Sequence, residues 1–301
     1  VSRVIALTGA TGYVGRFVAA ELLAQGFSLR ALARLDSDRR GFPGHIDWVD
    51  GDLSSESALK TLTDGAGAVI HMAYEHIPGR YRGGEGDDFP GWLDANLGGS
   101  LRLLTATQQA KVGQFIFLSS RAVFSHTEAG RVLDESHPTA PDSHYGAYKA
   151  AVEAFMSSAA HLTGMKTTTV RATGVYGLAW PPERSKWWDV IQAVLIHQPA
   201  TASRSGTEIH GADVARAITA LIKQPENAPA ALHLSDLTVS TRDIVRLGRQ
   251  FSGIPGDLPS ESPSAPQNIM VSRRLADLGI RLGGVPLLEQ TIKQMLDVMP
   301  R

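Results

Sequence analysis

In the stretch "HYGAYKAAVEAF", residues 144–155, Tyr145 stands four residues before Lys149, and Tyr148 stands directly before it. On an α-helix, positions i and i+4 share one face, so Tyr145 and Lys149 converge on one point. Tyr148 is turned about 100° away from Lys149 and shares that point less easily. A free tyrosine titrates near pH ~10, too high for ready proton exchange at neutrality. Lowering that value by about three units takes roughly 4 kcal/mol of differential stabilisation of the phenolate. A neighbouring ammonium is a suitable source. Tyr145 is thus a candidate acid/base with Lys149 as its electrostatic partner. The plainer reading is an aromatic and a snorkelling lysine on an amphipathic helix.

A second group with chemistry in it is "TGATGYVG", Thr8 to Gly15, with glycines at 9, 12 and 15. It directly follows an apolar strand-like run and opens a helical pattern. Glycine allows the tight turn, the close approach of backbone to a pyrophosphate, and the packing of helix on strand. The helix N-terminus then offers free N–H groups and a partial positive charge to phosphates. Three glycines alone are a weak signal, but this strand–turn–helix setting, in a unit of about 30 residues, favours a dinucleotide. The next strand ends in "RALARLDSDRR", which puts Ala33 and Arg34 where an NAD site usually has an acid for the ribose 2′-hydroxyl. An arginine fork suits a 2′-phosphate, so this segment favours NADP over NAD. Asp36 keeps NAD open, and Arg39 and Arg40 also read as surface charge.

These groups need a scaffold. Short β-branched and aliphatic runs alternate with helical periodicity: strands are expected at 3–8, 29–34, 46–50, 68–72, 114–118 and 166–171, and helices at 14–25, 56–62, 92–111 and 145–163. That alternation predicts an α/β fold with a doubly wound parallel sheet, whose ligands bind at the carboxyl ends of its strands. Beyond about residue 175 the pattern is less regular, with a short helix at 189–197 and a proline- and serine-rich loop ending at Pro266. The expected division is a dinucleotide-binding unit of residues 1–174 with about 210–238, and a smaller substrate-binding region of about 175–209 with 239–301. The glycine-rich, charged stretch Gly79 to Gly91 reads either as a solvated loop or as a lid over a site.

The composition narrows the function classes. At 301 residues and 43% hydrophobic the chain can bury a sizeable core, and a net charge of -1 gives no electrostatic case for nucleic acid or an anionic membrane. No apolar run is long enough to span a bilayer. The opening "VSRVIALTGATGYVG" reads as a strand and not as a signal peptide. There are no cysteines, which excludes disulfides, thiolate zinc and a cysteine nucleophile, and fits a cytoplasmic protein. No His/Asp/Glu cluster has metal-ligand spacing, and His71 reads as a buried strand histidine.

Taken together, the glycine turn at Thr8 to Gly15, "GDL" at 51–53, "HMA" at 71–73, "NLGGSLRLL" from Asn96, the pair Ser119–Ser120 and Tyr145-x-x-x-Lys149 resemble, in order and spacing, the extended short-chain dehydrogenase/reductase family with its NAD-dependent epimerases and dehydratases. The resemblance runs from residue 3 to about 215. It implies a Rossmann fold, a nicotinamide cofactor and a tendency towards homodimers. It also implies that Tyr145 is the acid/base, that Lys149 lowers its pKa and holds the nicotinamide ribose, that Ser120 polarises the reacting oxygen, and that Asn96 supports the site. Gly9, Thr11, Gly12, Tyr13, Val14 and Gly15 would cradle the cofactor, Arg34 would meet its adenosine ribose, Asp52 and Leu53 its adenine, and Met72 and Ala73 its ribose side. By themselves, a serine pair at a strand end is more often a turn, a lone helix asparagine is usually structural, and the last two pairs read as a turn and a packed strand end.

On the substrate side the chain departs from the family. Where nucleotide-sugar members read "RxxNVYGP", this sequence has "RATGVYGL", with Gly174 in place of the asparagine that contacts a diphosphate. In "GTEIHGADVA", Gly206 stands at the place of a second diphosphate contact, an arginine, and His210 at the family's histidine. Arg184, Lys186 and Arg204 are conceivable substitutes. Trp180, Trp187 and Trp188 line a pocket or pack a core. The expected function is hydride transfer between nicotinamide and a carbonyl or alcohol carbon of a small-molecule or sugar substrate. Epimerisation or dehydration of a nucleotide sugar is the alternative within the class, and a non-catalytic dinucleotide sensor is the alternative outside it.

Overall fold

The computed structural model describes residues 4–77, 79–80, 83–124, 127–198, 203–261 and 268–300. Arg3, at the start of the first expected strand, Tyr81 and Arg82 in the glycine-rich loop, and residues 262–266 of the proline-rich stretch lie outside them.

Seven parallel strands form the main sheet in the order β3 (Ile46–Asp50), β2 (Ser28–Ala33), β1 (Val4–Thr8), β4 (Ala68–His71), β5 (Gln114–Ser120), β6 (Lys166–Ala172), β9 (Ala231–Leu234). Alternate residues of β1 feed different cores. Ile5 and Leu7 join Val18 and Leu22 of α1 (Tyr13–Ala24) and Val214 and Ile218 of α7 (Gly211–Lys223) on one face. Ala6 joins Leu59 of α2 (Glu56–Thr63), Leu103 of α4 (Gly99–Gln109) and Val152 of α5 (His144–Thr163) on the other. With helices on both faces, strands read as nearly continuous apolar runs, and β4 is buried at all four positions. The chain builds outward from β1 in one direction and then from β4 in the other, so the crevice at the carboxyl ends of β1 and β4 is the switch point at which such sheets bind ligands.

A second sheet of three strands, β10 (Leu237–Ser240), β8 (Ser205–His210) and β7 (Gly174–Tyr176), has its own core with α6 (Trp188–Leu195), α8 (Thr241–Ser252) and α9 (Gly284–Val298). Trp188 is buried there beside Tyr176, Ile191 and Ile292.

Two differences from the sequence expectation bear on the site. β5 does not stop at Leu118. Ser119 pairs with Arg171 and Ser120 with Ala172, so the serine pair belongs to the strand. The helix expected over 92–111 starts earlier, at α3 (Phe89–Leu93), where Asp88 accepts from the Gly91 amide and Pro90 fits the first turn. It continues into α4 through a single π turn, Asp94–Gly98. No helix among the described residues is long and apolar enough to cross a membrane.

Candidate active site

The glycine turn connects β1 to α1 at the switch point. Gly9 has φ +75°, and a Cβ there would come within 2.6 Å of the Ala73 nitrogen and the Met72 carbonyl carbon, so the turn is pressed against the end of β4. Gly15 is buried because a Cβ would overlap the Gly9 carbonyl. Gly12 is exposed, and its Cβ would meet nothing closer than the Gly9 oxygen at 3.2 Å. α1 starts after Gly12 without a side-chain cap and without an acid in its first turn. Its leading amides are therefore left for an anion, and the bare surface at Gly12 lets one approach. These residues fit the pyrophosphate of a dinucleotide. Thr11 and Val14 are half-buried in the turn. The hydroxyl of Tyr13, by contrast, donates to Gly177 O at 2.8 Å and accepts from the Lys186 amide at 3.3 Å, tying this turn to the segment after β7.

α5 presents the acid/base candidates. Ser143 caps it by accepting from the Gly146 amide, and Gly146 is glycine because a Cβ would press on Ala122 O and lie 3.0 Å from Pro141 Cβ. That close approach seats the first turn of α5 against Arg121–Phe124, just past the end of β5. Lys149 is 3% exposed, and its Nζ donates to Leu118 O at 2.7 Å. The ammonium lies 4.4 Å from the Phe117 ring centroid and 5.7 Å from that of Tyr145. Burial brings the Lys149 pKa down to about 7, partly opposed by the Glu153 carboxylate one turn on. Ser120, two residues beyond the carbonyl that holds Lys149, accepts from the Ala122 amide at 3.1 Å. Tyr148 is fully buried in the second core, where burial pushes its pKa up. Half-buried Tyr145 packs against Tyr74, ring centroids 4.9 Å apart, and Tyr74 stacks on His76 at 4.7 Å. Sequence reasoning missed Tyr74 and His76; their only signal was an aromatic and a histidine just beyond the fourth strand.

The supporting residues form two buried networks. Asn96, inside the π turn, uses its whole side chain on backbone: Oδ1 accepts from the Glu75 amide at 2.8 Å, and Nδ2 donates to Glu75 O and Trp92 O. It holds the strand that leaves β4 against the helix. His71 bridges Thr8 Oγ1 at 2.7 Å and Ser100 Oγ at 2.8 Å, and burial lowers its pKa to about 3, so it is a neutral link between the glycine turn and α4. Ser119 donates to Glu153 Oε1 at 2.5 Å, and Glu153 accepts from Arg171 Nη2 at 2.6 Å. Of the serine pair, then, Ser119 is committed to structure and Ser120 is on the half-exposed side.

Of the residues expected to meet adenosine, Asp52 accepts from the Ser54 amide and hydroxyl at 2.8 and 2.6 Å, which hold its carboxyl below the usual range. Leu53 packs on Gly99, whose Cβ would sit 2.7 Å from Leu53 Cβ, and its carbonyl accepts from Arg102. Met72 is buried, with half-buried Ala73 beside it over Gly9. Arg34 is exposed and lies 3.5 Å from Glu75 and 3.7 Å from Asp36. Arg39 is bound to Asp50 and to the Ala33 and Arg34 carbonyls.

On the substrate side, the space left by Gly174 is filled. A Cβ there would come within 2.7 Å of Lys186 Nζ, which is bonded to both carboxylate oxygens of Glu208 at 2.6 and 2.5 Å. Lys186 is therefore not a free cation. His210 caps α7 by accepting from the Ala212 amide and stands edge-on to Tyr176, with burial lowering its pKa to about 4. The three tryptophans separate: Trp188 is core, Trp187 lies against Tyr176 at 5.2 Å, and half-exposed Trp180 covers Gly41. The loop after β4 folds back through a bond from the Ile77 amide to Gly84 O.

The chain matches the model of the NAD-dependent epimerase/dehydratase family over residues 5–234. It is 28% identical over 275 residues to a UDP-glucose 4-epimerase of Streptomyces lividans, covering 83% of this chain and 81% of that protein. Among solved structures it is similar to the UDP-glucose 4-epimerase of Thermotoga maritima with UDP-glucose, with TM-score 0.80, 18% identity, and 98% and 97% of the two chains covered. The UDP-glucose 4-epimerase of Thermus thermophilus in complex with NAD gives TM-score 0.80 and 20% identity over 98% and 100%. At these identities the structures establish the fold. They also correct the cofactor expectation: the similar structure holds NAD, and the preference for NADP that rested on Arg34 is overturned. The physical reason is in the side chains. Arg34 stands between Asp36 and Glu75, and Arg39 is consumed by Asp50, so the positive charge read from "RALARLDSDRR" is already balanced by carboxylates.

Proposed function

This chain belongs to the NAD-dependent epimerase/dehydratase family, and on that premise we propose that it is an NAD-dependent oxidoreductase acting at a carbonyl or alcohol carbon with Tyr145 as the proton-transferring group. The observation that carries the reading is that Lys149, held by Leu118 O near the end of β5, lies 5.7 Å from the ring centroid of half-buried Tyr145, whereas Tyr148, 5.0 Å from the same ammonium, is sealed in the core. Bound NAD supplies the hydride acceptor, and its reduced form the donor. Gly9, Gly12, Gly15 and the uncapped start of α1 hold the pyrophosphate, with Thr11, Tyr13 and Val14 contributing backbone. Asp52, Leu53, Met72 and Ala73 form the wall on the adenine and ribose side. Ser120 donates its hydroxyl to the substrate oxygen, and the Tyr145 phenol gives its proton to that oxygen or takes it back. Lys149 has a pKa near neutrality while packed on Leu118 O; when protonated it stabilises the Tyr145 phenolate. Asn96 and His71 act as positioning residues. The small sheet and its core, about 175–209 with 239–301, form the substrate-binding region. The absence of cysteine fits work in the cytoplasm.

The test is Tyr145→Phe in the full chain. NAD affinity measured by calorimetry is expected to change little, while NADH formation or consumption with a responsive alcohol or carbonyl falls by roughly 10²–10⁴-fold. Unchanged turnover would remove Tyr145 from the mechanism. A second reading, epimerisation with the cofactor regenerated in each cycle, is favoured by the similarity to the Streptomyces lividans epimerase. The two separate on product analysis: net chemistry accumulates NADH or NAD in proportion to product, and epimerisation inverts a stereocentre with neither.

A further inference from the structure

The Lys186–Glu208 pair packs at Gly174, just past the end of β6, the strand that pairs with β5. Ala172 is the register partner of Ser120, and Gly174 lies two residues further along the chain, at most about 7 Å away. Gly174 in turn is the register partner of Glu208 on β8. The Glu208 side chain is 8% exposed, and burial raises its pKa against the opposing pull of Lys186. The Lys186 backbone N–H donates to Tyr13 Oη, so the pair is tied to the start of α1, the helix that follows the glycine turn. Gly206, two residues before Glu208, leaves the room its carboxylate needs: a Cβ there would lie 3.3 Å from Oε1. Both glycines of the substrate wall therefore make space for one internal ion pair.

An ion pair with two short bonds has no net charge to offer a phosphate, and an anion brought to it faces a buried carboxylate. The other candidate cations do not repair this. Arg204 is exposed, four residues before Glu208 and just ahead of β8, and the charge of Arg184 falls on Arg16 of α1. What the pair does offer is complementary to hydroxyl groups, since a carboxylate accepts and an ammonium donates. Resting on the hydride-transfer reading above, we infer that Lys186 and Glu208 determine specificity, selecting an uncharged, hydroxyl-bearing carbonyl or alcohol substrate and rejecting one that carries a diphosphate at this wall.

The experiment is calorimetric titration of the wild-type protein, in saturating NAD, with UDP, dTDP and GDP, beside a turnover panel of unphosphorylated hydroxy-aldehydes, hydroxy-ketones and polyols. The expected result is no nucleoside diphosphate binding tighter than about 1 mM, a weak-affinity limit, with turnover confined to the uncharged compounds. Glu208→Gln frees Lys186 and is expected to tighten UDP at least tenfold. Micromolar UDP binding by the wild type overturns the inference, as does an unchanged UDP affinity in a folded Glu208→Gln protein. The wild-type titration needs no variant and decides even where Glu208→Gln fails to fold. A separate NAD titration distinguishes the two levels: loss of NAD binding defeats the hydride-transfer reading, whereas NAD binding together with tight UDP binding defeats only the role of the pair.

Discussion

Two sets of glycines, one in the turn after β1 and one on β7 and β8 of the small sheet, mean opposite things. At the turn after β1, Gly12 is exposed and a Cβ would meet only a carbonyl at 3.2 Å, so the missing side chain leaves open surface. At the substrate wall, the space beside Gly174 is occupied by the bonded ends of Lys186 and Glu208, so the missing side chain is room for the protein itself. The residue type is identical; the neighbour across the gap decides whether the gap binds something. A glycine in place of a family's contact residue is therefore evidence about function only once its surroundings are known.

Substitutions at Gly15 and Gly12 probe the first half of that contrast and have the largest expected effect. A Cβ at Gly15 overlaps the Gly9 carbonyl and comes within 2.8 Å of Ala10 Cα, both backbone, which cannot swing aside. Gly15→Ala is expected to cost roughly 2–3 kcal/mol of stability and to weaken NAD by about 10²-fold or more. Gly12→Ala should leave the urea midpoint nearly unchanged while weakening NAD about tenfold, because its methyl stands on the surface that the pyrophosphate approaches. Equal loss of stability in both variants would show that Gly12 is kept for the fold and not for a ligand.

The glycine turn and the Tyr145–Lys149 spacing were legible in the sequence because each of these parts is local. β1, the glycine turn and α1 follow one another within 24 residues, and Tyr145 and Lys149 share a helix face by spacing alone. What was hidden depends on contacts between distant segments. The extension of β5 to Ser120 follows from pairing with β6, and the roles of Ser119 and Ser120 diverge because Glu153, itself held by Arg171, accepts from one of them. The balance of Arg34 by Glu75, and of Arg39 by Asp50, joins residues 41 and 11 apart. Nor did any local pattern announce β7, three residues long, or the pairing that puts Glu208 opposite Gly174.

Gly174 and Gly206 test the second half of the contrast, with smaller effects. At Gly174 an added Cβ meets the far ends of two long side chains, one of them a lysine with a third of its side chain exposed, so the pair can move. Gly174→Ala is expected to cost about 1 kcal/mol, and Gly206→Ala less than about 0.5 kcal/mol, read as shifts in urea midpoint at constant slope. If Gly174→Ala proved as damaging as Gly15→Ala, the pair would be as unyielding as backbone, and the wall would be rigid.

A pH-dependent effect concerns the link between the glycine turn and α4. His71 keeps a pKa of about 3 in the folded chain, through burial and, secondarily, the charge of Lys149, against an ordinary value near 6.5 in the unfolded one. Between those values the unfolded chain binds more protons than the folded one, so stability rises with pH across this window and is lost as pH falls through it. Each pH unit inside the window is worth at most roughly 1.4 kcal/mol from this one group. In His71→Gln an amide can still bridge Thr8 and Ser100 but does not titrate. Its urea midpoint should therefore fall less steeply than the wild type's between pH 6 and pH 4, while carboxylates elsewhere contribute equally to both proteins. Parallel slopes would mean that His71 is not held neutral by its surroundings. The contact between the glycine turn and α4 would then be looser than the closely packed turn it supports.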